Sequence, residues 1–140
     1  MPVNDLARSD VVTATEQTPV AELAQTMADE TVGSIVIVDD NKPVGIVTDR
    51  DLALRVVAEE ADASTLTAGN VMSENIETIE RSAGFYTAVE QMSSHAVRRL
   101  PVCDDAGELV GIITTDDLNE LIADEQSELA DVIRAQRPPY

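Results

Sequence analysis

Two short motifs carry the residue types that could do chemistry: Gly45-Ile-Val-Thr48-Asp-Arg-Asp51 and Gly111-Ile-Ile-Thr114-Thr-Asp-Asp117. In each, a threonine at the end of an apolar run precedes an aspartate by three residues. Thr-x-x-Asp at a strand-to-helix junction admits two readings. As a capping box, the threonine accepts the third helical N–H, the acid reaches back, and no ligand is needed. As a site, the helix N-terminus offers unpaired N–H groups and partial positive charge that suit a phosphate. The threonine hydroxyl then adds a hydrogen bond, and the aspartate accepts the two hydroxyls of a ribose. Both readings stay open on these residues alone. Arg98 and Arg99 are the matching cations, because guanidinium forks fit phosphate oxygens; the bland reading makes them surface charge on a strand end. Lying in the second half of the chain, they favour Thr114 and Asp117 as the better phosphate site.

A local cation matters because the chain is strongly acidic. Twenty-seven acids against nine bases leave a formal charge of −18. That excess opposes general binding to nucleic acid or to an anionic membrane. The aromatic residues are only Phe85, Tyr86 and Tyr140, too few for a base-stacking surface. The acids are spread along the chain, which points to a protein of a high-salt cytoplasm, as in a halophilic archaeon, where self-repulsion is screened. Melting temperature followed from dilute buffer to molar KCl tests this expectation, and a flat response would contradict it. Cys103 is the single cysteine, so no disulfide forms within the chain. Polar residues from Asn4 to Asp10 interrupt any signal-peptide-like stretch, and the apolar runs are too short to span a bilayer. The expected location is the cytoplasm.

The motifs sit at matching places in an internal repeat. Asp10–Leu52 overlays Asn75–Leu118, with Ser34-Ile-Val-Ile-Val-Asp-Asp40 on Arg99-Leu-Pro-Val-Cys-Asp-Asp105. One extra residue in the second turn then brings Pro43–Leu52 onto Leu109–Leu118. Each copy reads β-α-β-β-α. Short strands are expected at Val11–Thr13 and Ile76–Thr78. A helix follows, capped in the first copy by Thr18 with Pro19 at its first position. Its apolar face is Val20, Leu23, Ala24, Met27 and Ala28 in the first copy, and Phe85, Ala88, Val89 and Met92 in the second. Strand pairs at Ser34–Val38 with Val44–Thr48 and Leu100–Cys103 with Leu109–Thr114 come next. Closing helices run from Asp49 to about Glu60 and from Thr115 into the 120s or beyond. A copy of about sixty residues is too small to hold a comfortable core alone, so the two are expected to pack together. The expected boundaries are 1–63 and 64–125, joined through Ala61–Thr67. Residues 126–140 form a helical extension with Leu129, Val132 and Ile133 as an apolar edge.

With the motif present twice, in register, inside a repeat of this length, the chain resembles the CBS (cystathionine β-synthase-type) domain family. Val97-Arg-Arg-Leu-Pro-Val102 is also similar to that family's second strand. The first copy departs from the pattern, with Gly33, Ser34 and Val36 where the second has Arg98, Arg99 and Pro101. The resemblance implies an α/β fold in which tandem β-α-β-β-α repeats pack sheet to sheet as one pseudo-twofold module. It implies a regulatory, non-catalytic module that binds an adenosine nucleotide of the AMP, ATP or S-adenosylmethionine class between the repeats. Carried over, Thr114 and Asp117 serve one cleft, with Val12, Val32 and Gly33 as walls and Ile112 beneath. Thr48 and Asp51 serve the other, with Glu77, Val97 and Arg98 as walls and Ile46 beneath. It also implies a homodimer built through helices and a separate effector protein. No required cofactor is expected.

Other residues read blandly. His95 has no second histidine to complete a site, and Cys103 belongs to a strand expected in the core. Arg50 and Arg55 neighbour Asp51, Arg50 reading as a surface or dimer-contact residue. Adjacent acids such as Asp39-Asp40 and Asp104-Asp105 read as solvated turns, so no metal site is expected. No Walker loop, zinc spacing or nucleophile elbow marks an enzyme. The competing reading is a structural adaptor with empty clefts, whose Thr-x-x-Asp pairs are caps alone and whose surface binds a protein partner.

Overall fold

Ser34–Asp39 and Lys42–Thr48 are β-branched and apolar enough to pair, and Asp40 and Asn41 between them adopt left-handed φ of 51° and 60°. Two consecutive left-handed residues are what a tight two-residue hairpin turn requires. In the computed structural model, which describes residues 1–139, these strands (β2 and β3) pair antiparallel, and a short β1 at Thr13–Ala14 joins β2 in parallel. The second copy repeats the sheet with β4 (Ile79–Glu80), β5 (Arg99–Cys103) and β6 (Leu109–Thr114), in the order β4-β5-β6. The register shifts between Ile37 and Val38 in one sheet and between Val102 and Cys103 in the other, at the aligned position. The extra residue of the second turn is absorbed by Gly107, at φ 80°, and by Asp104 Oδ1, which accepts the N–H groups of Ala106 and Glu108.

Helix α2 (Val20–Glu30) buries Val20, Leu23 and Met27, and α5 (Phe85–His95) buries Ala88 and Met92. Val89, expected on the same face, is 41% exposed. Each helix ends on a left-handed residue that is not glycine: Thr31 at φ 55° and Ala96 at φ 52°. Val32 N and Val97 N then donate back to Met27 O and Met92 O, closing the C-termini in the same way. These matched turns aim Val32-Gly33 and Val97-Arg98 at the seam between the repeats.

The structure corrects several local expectations. The first strands begin later, at Thr13 and Ile79, because Val11, Val12, Ile76 and Glu77 line the seam clefts instead. Thr18 does not cap α2. Its Oγ1 accepts Thr15 N at 3.1 Å, Pro19 takes the cap position, and the first helical N–H, of Val20, goes to Leu66 O at 2.9 Å. A carbonyl brought in from 46 residues away does what a local side chain was expected to do. The closing helix of the first copy is a short α3 (Asp49–Leu52) that widens into a π-turn at Ala53–Val57. In the second copy α6 runs unbroken from Thr115 to Ala135, and Leu129, Val132 and Ile133 on its far half are exposed. Of the extension read at 126–140, Tyr140 lies outside the described residues.

Two further helices were not anticipated. Val3–Leu6 (α1) and Ala68–Val71 (α4) each precede one repeat and pack on the other. Val3 is fully buried among Ile79, Leu100, Val102, Ile113 and Leu118, whereas Ala68 and Val71 join Leu23, Ile35, Ile37 and Val47. The chain after each helix crosses a strand at close range. Arg8 pairs with Ile112 and Ser73 with Ile46, each through two backbone hydrogen bonds. This crossing explains the motif glycines. A Cβ on Gly111 would stand 3.0 Å from Arg8 O, and one on Gly45 would stand 3.1 Å from Ser73 O. Each buried core is thus completed from outside its own repeat, which ties the two small units together.

Candidate functional site

Both Thr-x-x-Asp motifs are complete capping boxes. Asp51 N donates to Thr48 Oγ1 at 3.1 Å, and Thr48 N donates to Asp51 Oδ2 at 2.9 Å. The second copy matches it, with Asp117 N to Thr114 Oγ1 at 3.2 Å and Thr114 N to Asp117 Oδ2 at 2.9 Å. The bland reading of these residues is therefore satisfied in full. What the caps also do is hold each threonine at the mouth of a cleft between the repeats.

The clefts follow the pseudo-twofold. The first, of about 580 Å³, is floored by Ile46, Thr48, Asp49 and Arg50, and walled from the other repeat by Ile76, Glu77, His95, Val97, Arg98, Arg99 and Pro101. The second, of about 280 Å³, holds Ile112, Thr114 and Asp116, with Val11, Val12, Thr31, Val32, Gly33, Ser34 and Val36 opposite. A ligand pocket typically falls between roughly 300 and 1,000 Å³, so only the first lies inside that range. Val36 and Pro101 are fully buried, belong to neither core, and sit at aligned places in β2 and β5. They make the apolar backs of the two clefts.

Acids balance the arginines in both linings, Asp49, Glu74 and Glu77 in the first and Asp10 and Asp116 in the second, but the charges are placed differently. At two aligned positions the first has Arg98 and Arg50 where the second has Gly33 and Asp116. The equivalence is structural as well: Asp49 N donates to Gly33 O at 3.0 Å and Thr115 N to Arg98 O at 2.8 Å. Four of the nine basic residues in the chain, Arg8, Arg50, Arg98 and Arg99, line one cleft or both. In a protein of −18 this gathers cations where an anion could sit. Arg98 stands 3.9 Å from Asp116, an exposed pair of little energetic weight.

The sequence-derived residues fall as follows. Thr48, Ile46, Glu77, Val97 and Arg98 come together in the first cleft; Thr114, Ile112, Val12, Val32 and Gly33 come together in the second. Arg98 lines the first cleft and not the second, although its guanidinium reaches to 3.9 Å from Asp116 at the Thr114 helix start. Arg99 borders both clefts. Of the arginine pair only Arg98 distinguishes the clefts by lining, and it lies on the wall of the Thr48 cleft, where the resemblance put it. Asp51 and Asp117 wall neither cleft; their carboxylates are engaged in the caps, with side-chain exposures of 16% and 8%. Two residues outside the expected site set, His95, which was read blandly, and Arg8, also line the clefts. His95 lines the first cleft, with Nε2 3.4 Å from Glu77 and Nδ1 3.0 Å from Gln91 O. Arg8 enters the second, its Nε donating to Asp117 Oδ1 at 3.0 Å. No sequence signal marks Arg8, since its partner lies 109 residues away.

Burial pushes the Cys103 thiol above its ordinary value, with Asp104 adding to the shift and a Thr78 hydrogen bond opposing it. The Asp62 carboxyl, outside both clefts, is lowered by hydrogen bonds from Ser64. Among the described residues, no group of three or more His, Cys, Asp or Glu side chains is arranged to hold a metal ion. Nor is any helix among them long and apolar enough to cross a membrane.

Comparison with known proteins agrees with this architecture. The CBS domain pattern matches residues 3–58 and again 68–124. A protein of Methanopyrus kandleri, MK0525, is 37% identical over 117 residues, covering 83% of this chain and 60% of its own length. The CBS domain protein PAE2072 from Pyrobaculum aerophilum, solved in complex with AMP, superposes with a TM-score of 0.76 at 28% identity, over 84% of this chain and 89% of that one. The CBS domain pair of protein MJ0100, solved with 5′-methylthioadenosine and S-adenosyl-L-methionine, gives 0.79 at 26% identity, over 89% and 98%. With a doubled β-α-β-β-α sheet unit, paired capping motifs and two tandem pattern matches, this chain belongs to the CBS domain family.

Proposed function

We propose that the chain is a ligand-sensing regulatory module whose Thr48 cleft binds an anionic adenosine nucleotide. The observation that carries this reading is the convergence of Arg50, Arg98 and Arg99 on a cleft of about 580 Å³ at a capped helix start. Guanidinium forks suit a phosphate, whereas the first N–H groups of the helix are already taken by Gly33 O, Asp49 Oδ1 and Thr48 Oγ1. Ile46, Ile76, Val97 and Pro101 supply the apolar faces between which a base would slide. The AMP-bound and S-adenosylmethionine-bound neighbours support adenosine as the ligand class.

In this reading the ligand touches both repeats, so binding stabilises one arrangement of the seam and changes the surface shown to a separate effector protein. The module works as a cytoplasmic homodimer and catalyses nothing. A second reading, the ligand-free adaptor, is favoured by one observation: both capping boxes are complete without a ligand.

Calorimetric titration in molar KCl with AMP, ADP, ATP, S-adenosylmethionine and NAD separates the two. We expect at least one to bind, and Arg98→Ala to weaken that binding by about 10- to 100-fold, the worth of a charge-assisted hydrogen bond. A folded wild-type protein that binds none of the panel would leave the adaptor reading in possession.

A further inference from the structure

In the second cleft the chain supplies its own cation to the motif carboxylate. Arg8 Nε sits 3.0 Å from Asp117 Oδ1, while Asp117 Oδ2 accepts Thr114 N and Thr114 Oγ1, each at 2.9 Å. Both oxygens of that carboxylate are thus engaged. Asp51 differs, because its Oδ1 has only the Arg55 guanidinium at 3.8 Å, beyond hydrogen-bond range. The crossing residue at the equivalent place is Ser73, which has no charge to offer.

Arg8 is held there by its backbone. Its N–H and carbonyl each bond Ile112 at 2.9 Å, Gly111 leaves room beneath it, and Val3 anchors the segment in the second core. Its side chain is 66% exposed, so the guanidinium itself is displaceable. We infer that Arg8, which itself lines the second cleft, is a built-in occluder that covers the Asp117 carboxylate and keeps it out of the cleft wall, where a ligand diol would otherwise meet it. With the guanidinium removed, the remaining charged groups on the wall are Arg99, Asp10 and Asp116. That set does not favour a phosphate. The opened cleft suits a nucleoside that carries a ribose diol and no phosphate.

This inference rests on reading Thr-x-x-Asp as a diol site, and its test is arranged so that it can fail separately. Wild type and Arg8→Ala are each saturated with AMP and then titrated with 5′-methylthioadenosine, which has the diol and lacks the phosphate. Arg8→Ala keeps the backbone bonds to Ile112, so the fold persists; a circular dichroism melt checks this. We expect one further ligand per chain in Arg8→Ala, bound about two- to fivefold more tightly than in wild type, the scale of one displaced ion pair whose cation is mostly exposed. Equal 5′-methylthioadenosine affinity in both proteins overturns the occluder. Loss of binding in Arg8→Ala also overturns it, since Arg8 would then be a ligand contact. Failure of AMP to bind wild type counts against the nucleotide reading of the first cleft instead, and leaves the 5′-methylthioadenosine comparison intact.

Discussion

The two clefts share a backbone and differ in a few side chains. Both have an apolar back, a capped threonine at the mouth and a wall delivered by a left-handed helix terminus. The Thr48 cleft carries Arg50 and Arg98; the Thr114 cleft has Asp116 and Gly33 at those places and Arg8 across its carboxylate. The repeat supplies the frame twice, and a handful of side chains distinguishes the two copies. Because each cleft mixes floor and wall from opposite repeats, a residue in one copy mainly serves the motif of the other.

Transplanting the cations should erase the difference. The double variant Gly33→Arg, Asp116→Arg gives the second cleft the charges of the first. Gly33 tolerates it, since a Cβ there would stand 3.4 Å from Asp49 Oδ2 in ordinary contact. We predict a second AMP site, tightened about 10- to 100-fold over the unmodified cleft by calorimetry; no gain would mean that charge is not what separates the clefts.

A smaller effect divides structure from binding. Thr48→Ala and Thr114→Ala each remove a helix cap and should each cost about 1 kcal/mol in denaturant unfolding. Only Thr48→Ala should also weaken AMP, by about tenfold at most. Equal losses of affinity in both variants would break the asymmetry.

The smallest effect lies in the strands behind the clefts. Cys103 aligns with Val38, so Cys103→Val should change stability by less than about 1 kcal/mol near neutral pH. Burial holds the folded thiol above its ordinary value of 9.0, so the unfolded chain loses its thiol proton first. Wild type therefore sheds stability as pH rises beyond about 9, and Cys103→Val lacks that share of the loss. Parallel stability curves for the two proteins through pH 10 would contradict the assignment.

Much of this was legible in the sequence, and the illegible part has a common cause. Repeat length, strand pairs and both capping boxes follow from local pattern: Thr48 with Asp51 and Thr114 with Asp117 cap as read, and of the first helix face Val20, Leu23 and Met27 bury as read while Ala24 and Ala28 are exposed. What the sequence hid depends on distant partners. The α2 start is set by Leu66 O, Val3 completes the second core, and Arg8 finds Asp117 across the fold. The resemblance alone put Arg98 on the wall of the Thr48 cleft. Arg98 and Thr114 are close in sequence, yet the strand order sends the Arg98 wall to the Thr48 floor. The α1 and α4 helices carried faint signals, the Val3 and Leu6 spacing and the Thr67-x-x-Asn70 capping box, too short to stand out without the partner surface.

The central claim is that one cleft of the pair is built for an anionic nucleotide, and stoichiometry tests it most directly. Wild-type protein titrated with AMP in molar KCl should saturate near one nucleotide per chain, with Arg98→Ala weakening that event about 10- to 100-fold. Saturation near two equivalent nucleotides, or one that survives Arg98→Ala unchanged, would contradict the account.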